Sequence, residues 1–76
     1  VIGSLTRREI EVLTAAAHGR SQRETATELS ISRGVVRSYL GTCLAKLGAA
    51  STPHAVALAI RERLIDPAQV PDGITT

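Results

Sequence analysis

Apolar side chains recur along this chain at intervals of three and four, the spacing of a helix face. Ile10, Leu13, Ala16 and Ala17 form a first stripe, and Thr25, Ala26 and Leu29 a shorter second one. Wound at about 100° per residue, Val36, Tyr39, Leu40, Cys43, Leu44 and Leu47 fall within an arc of about 140°. Ala55, Val56, Leu58, Ala59, Ile60 and Leu64 can supply the buried side of a fourth helix. The pattern predicts an all-α, four-helix domain with helices over about 6–18, 21–29, 33–47 and 53–64.

The punctuation between the stripes agrees. Thr6 and Glu9 have the spacing of a capping box, in which each side chain satisfies a free amide at the helix start, and Leu5 with Ile10 can form the accompanying hydrophobic staple. Gly19 is placed to end that helix in a left-handed conformation. Ser21 and Glu24 repeat the box, Ser32 caps the third helix with Ile31 and Val36 as staple, and Thr52-Pro53 opens the fourth. Asp66-Pro67 stops it, since a proline ring disfavours helix at the preceding residue. Residues 1–66 thus read as one domain, and the proline-punctuated PAQVPDGITT, 67–76, as a flexible tail. Only Ser30, Ile31 and Ser32 join the second and third helices, which forces a steep crossing of the helix-turn-helix kind.

Composition narrows the function classes. Tyr39 is the sole aromatic residue among 76, and Met is absent, so the core is aliphatic; the missing Met also fits a piece of a longer chain or a removed initiator. The longest apolar run, AVALAI at 55–60, is far short of the roughly 20 residues a membrane span needs, and no signal segment opens the chain. A cytoplasmic domain without a membrane partner is expected. Cys43 stands alone within an apolar stripe, which excludes a disulfide framework and makes it a small buried hydrophobe. His18 and His54 lie far apart, with no Cys or carboxylate at ligand spacing, so neither a metal nor a cofactor is expected. No nucleophile is paired with a base and no carboxylate pair is evident, so an enzyme is not expected.

The charge pattern adds a positive statement. Net charge is +2, but it concentrates in residues 20–47, where Arg20, Arg23, Arg33, Arg37 and Lys46 outnumber Glu24 and Glu28. Arg7 and Arg8, beside Glu9 and Glu11, read as a solvated face. Opposite the apolar arc of helix three lie Gly34, Arg37, Ser38, Gly41, Thr42 and Ala45, a surface of small residues with one long cation. Each interior glycine costs roughly 0.5–1 kcal/mol relative to alanine. Such a face has two physical uses. It lets a helix sink close to the floor of a DNA major groove while Arg37 reaches a guanine edge or a phosphate. Alternatively, Gly41 and Ala45 let a second helix pack closely. The helix-turn-helix spacing of Ala26, Ile31 and Val36, and the surrounding Arg23, Arg33, Arg37 and Lys46, favour DNA.

The stretch LTRREIEVLTAAAHGRSQRETATELSISRGVVRSYLGTCLAKLGAASTPHAVALA, residues 5–59, resembles the LuxR-type (GerE-like) helix-turn-helix domain at the C-terminus of many bacterial transcription regulators. Its marks are LTxRExEVL, GxS before helix two, the LSIS turn, VR followed by an aromatic and Leu, KLG, and AVALA. The resemblance implies sequence-specific binding of double-stranded DNA, with helix three in the major groove and a homodimer formed through helix four. Carried over by position, Arg37, Ser38 and Gly41 would face base edges, and Gln22, Arg23, Arg33, Gly34, Val35, Thr42 and Lys46 the DNA backbone. Ala57, Ile60 and Arg61 would lie at the dimer interface. Gly34 and Val35 stand where the family usually has a Ser-Thr or Thr-Thr pair, Gln22 replaces Asn and Thr25 replaces Ile, the last weakening the core. Any sensing or phosphate-receiving domain would precede Val1. The alternatives are a helical protein-interaction module, or a sigma-factor-like region four acting with RNA polymerase.

Overall fold

The computed structural model describes residues 5–66, so the expected tail at 67–76 lies outside the described residues. Four helices follow in order: α1 (Arg7–Ala17), α2 (Gln22–Leu29), α3 (Arg33–Leu47) and α4 (Thr52–Arg61). No strand occurs among the described residues. Helices α1 and α3 each pack against all the others, while α2 and α4 do not meet.

Local chemistry sets the helix starts. The Thr6 hydroxyl accepts the Glu9 N–H at 3.2 Å while the Glu9 carboxylate accepts the Thr6 N–H at 2.7 Å, completing the expected capping box. Ser21 and Glu24 do the same at 3.0 and 2.8 Å, and Ser32 accepts the Val35 N–H at 3.1 Å. For α4 the start differs by one residue from expectation. Ser51, not Thr52, is the cap, accepting the His54 N–H at 3.3 Å, which puts Pro53 within the first turn, where its missing amide is still harmless.

All four helices end by one device. The residue after the last turn adopts positive φ: Gly19 at 79°, Ser30 at 58°, Gly48 at 66° and Arg63 at 59°. The next amide then folds back to a carbonyl five residues earlier, Arg20 to Ala15, Ile31 to Ala26, Ala49 to Leu44 and Leu64 to Ala59. At α4 this overrules the expected stop at Asp66-Pro67: the helix ends at Arg61, because the reversal at Arg63 carries Ile65 into the core.

The core comprises Val12, Leu13, Ala26, Val36, Leu40, Cys43, Leu47, Ala55, Ala59 and Ile65, with Tyr39 and Leu44 half-buried against it. On α1 the deepest apolar residues are Val12, Leu13 and Ala15, whereas Ile10, Ala16 and Ala17 of the expected stripe are only partly covered. Full burial of Leu13 contributes about 1.5–3 kcal/mol. Two further expectations change. Ile60 is 37% exposed rather than buried, since Ala55 and Ala59 set the inward face of α4. Thr25 is buried without an unpaired hydroxyl, donating to the Ser21 carbonyl at 2.9 Å, so its polar atom carries no burial penalty.

Candidate nucleic-acid interface

The α2–turn–α3 unit is tied together by backbone. Ile31 N–H bonds the Ala26 carbonyl at 3.0 Å, and Ser32 caps α3 immediately afterwards. With Val36, Leu40, Cys43 and Leu47 buried, the opposite side of α3 is turned outward by helical geometry alone. Arg33, Gly34, Val35, Arg37, Ser38, Gly41, Thr42 and Ala45 are all exposed there. Val35, at 40% exposure, adds an apolar edge. Of the two expected positions on α2, Arg23 is exposed and Gln22 half-buried.

Nothing inside the fold requires the two glycines of this face. A Cβ built on Gly41 meets no atom within 4 Å, and one on Gly34 meets only the Ser32 Oγ, at 3.8 Å. The fold therefore gains nothing in return for their helix-weakening cost. The Thr42 hydroxyl donates to the Ser38 carbonyl at 3.1 Å, so it offers an outside partner lone pairs and a methyl group.

The cations divide into two sets. Arg8 pairs with Glu11 at 3.2 Å, Arg20 with Glu28 at 3.6 Å and Arg61 with Glu62 at 3.8 Å. Exposed Arg7, Arg23, Arg33, Arg37 and Arg63 form no ion pair among the described residues, and three of them, Arg23, Arg33 and Arg37, lie on α2 and α3. Their charges face outward uncompensated, as an anionic partner requires.

Lys46 is paired as well, but with a buried partner. Its Nζ lies 2.8 Å from Glu9 Oε1, and Glu9 is only 4% exposed. The Lys46 ammonium and the Thr6 amide hold the Glu9 carboxyl below the usual carboxylate range. Beside them Cys43 Sγ–H donates weakly to the Glu9 carbonyl at 3.7 Å, and burial, with Glu9 nearby, pushes the thiol up to about 11. It remains protonated and unreactive at neutral pH. Sequence reasoning read Glu9 as the capping-box partner of Thr6 and missed its burial and its pairing with Lys46. A signal for the burial existed, because Glu9 precedes Val12 and Leu13 by one helical turn and so shares their side.

Comparison with known proteins assigns the domain. The profile of "Bacterial regulatory proteins, luxR family" matches residues 3–59. The chain belongs to that family. As a LuxR-type helix-turn-helix domain it is the DNA-binding part of a transcription regulator. It is 44% identical over 63 residues to the transcriptional activator protein BjaR1 of Bradyrhizobium diazoefficiens, covering 83% of this chain and 26% of that protein. It is also 44% identical over 52 residues to the response regulator RamR of Streptomyces coelicolor, covering 68% of this chain and 26% of that protein. The LuxR-type domain thus spans about a quarter of the length of these curated relatives. The structure of the transcription factor GerE superposes with a TM-score of 0.81 at 25% identity, over 86% of this chain and 97% of that one. VqmA bound to DPO superposes with a TM-score of 0.77 at 29% identity, over 90% of this chain and 33% of that one.

Proposed function

We propose that the domain is the output unit of a bacterial transcription regulator, acting in the cytoplasm with α3 laid in the major groove. The observation that carries this is the outward face of α3. Gly34 and Gly41, which the packing of the described residues does not need, leave it flat, and Arg33 and Arg37 stand on it without ion pairs among those residues. Removing side chains lowers the helix towards the base edges, and Arg37 is then the side chain long enough to reach a guanine O6/N7 pair. Ser38 and Gly41 flank it at the base edges. Gln22, Arg23, Arg33, Gly34, Val35 and Thr42 face the sugar–phosphate backbone.

The exposed side of α4, with Ala57, Ile60 and Arg61, is the surface through which two copies pair on a pseudo-palindromic site. With one long base reader per copy, a monomer binds weakly and the pair supplies the affinity. Relatives named as transcriptional activators and as a response regulator support control by a further part of a longer protein.

The test is repeated selection of this chain on random double-stranded DNA at low salt, followed by a salt titration on the enriched sequence. A dimer that neutralises about four to nine phosphates gives a log–log salt slope of roughly −4 to −8 on a pseudo-palindrome. A folded protein that enriches no sequence and binds no duplex at low salt would show that the flat face of α3 meets protein instead.

A further inference from the structure

Lys46 is the one cation of the α2–α3 unit whose ammonium is engaged with a buried carboxylate. Glu9 receives it at 2.8 Å, and the same oxygen accepts the Thr6 amide at 2.7 Å. One turn earlier on α3, Cys43 bonds the Glu9 backbone carbonyl. Glu9 therefore fastens the start of α1 to the C-terminal half of α3 at two successive points on one side of that helix. The Lys46 side chain is 30% exposed, but its charge is already largely neutralised within the protein. A phosphate that drew the ammonium away from Glu9 would strand a buried carboxylate, and one that approached it in place would meet an ion pair of zero net charge.

We propose that Lys46 and Glu9 serve DNA binding as positioning residues, setting the pose of α3 in the groove, and that Lys46 is not a phosphate ligand. This rests on the groove reading above. The two roles separate cleanly on a mixed-sequence duplex. A phosphate ligand contributes about 0.9 to the salt slope for each charge, whereas a positioning residue contributes none.

The experiment measures affinity across a salt series for the whole chain and for Lys46→Met, Glu9→Gln and the double variant, with helix content followed by circular dichroism. Lys46→Met keeps the aliphatic stem and so keeps the packing. The expected result is weaker binding at every salt concentration for both single variants, an unchanged slope, and a double variant little worse than either. A slope flattened by about one unit in Lys46→Met overturns the proposal, because the charge then neutralises phosphate. Tighter binding by Glu9→Gln also overturns it, since a released Lys46 would be gaining a phosphate. Should either single variant lose its helix content, the slope of the double variant, which leaves no buried charge unpaired, decides alone. Wild-type protein that binds no duplex overturns the groove reading, and this proposal with it.

Discussion

At the scale of single residues, Arg37 and Gly41 make opposite contributions to one surface. Arg37 projects from α3 without an ion pair among the described residues, so its removal costs the fold little and falls on recognition. Arg37→Ala is expected to weaken the selected site by about 1–3 kcal/mol and to relax preference at one base position. Equal loss on all sequences, measured by competition with unrelated duplexes, would show a phosphate contact instead. At Gly41 the space for a Cβ is open on the protein side, and alanine is the better helix former. Gly41→Ala is expected to raise stability by about 0.5–1 kcal/mol in urea melts while giving no gain in DNA affinity. A destabilised Gly41→Ala would mean that the glycine serves the fold after all.

At the scale of elements, the helix ends matter most. Four reversals use the same left-handed conformation, yet two fall on glycine and two on Ser30 and Arg63. A residue with a Cβ is strained there by roughly 1–2 kcal/mol, partly offset by its smaller loss of chain entropy on folding. Ser30→Gly is therefore expected to stabilise the domain by about 0.5–1 kcal/mol, and Gly48→Ala to destabilise it by about as much, both read as shifts of the urea midpoint. The strained Ser30 lies in the turn that orients α3, and Ile31 beside it is packed against the core, so the turn is held by its surroundings.

At the scale of the whole molecule, α1 acts as the frame on which the DNA-binding unit is mounted. It touches α2, α3 and α4, and its Glu9 reaches across to α3. The Glu9 carboxyl is held below 4.5 by the hydrogen bond from Lys46, then by the Thr6 amide, against the opposing effect of its burial. A depressed carboxyl stabilises the fold above its unfolded pKa, and that contribution disappears as pH falls through the folded one. Stability is thus expected to decline as pH drops below about 4.5, with a shallower decline in Glu9→Gln. Identical acid limbs for the two proteins in urea melts would show that the pair contributes no stability.

Much of this protein was determined by its sequence alone, because helix starts and most helix ends are short-range events. The Thr6–Glu9 and Ser21–Glu24 boxes and the Ser32 cap each close over three residues, and Gly19 and Gly48 supply the left-handed ends without help. The period of Val36, Leu40, Cys43 and Leu47 likewise fixes which side of α3 turns outward, so the candidate surface was legible before any contact was known. The tertiary structure decided what depends on a partner distant in sequence. The end of α4 at Arg61 follows from the burial of Ile65, which no local pattern around Asp66-Pro67 records. The exposure of Ile60 follows from which alanines face α1 and α3. The union of Glu9 with Lys46 crosses from the first turn of α1 to the last turn of α3, and only packing brings those charges within 2.8 Å.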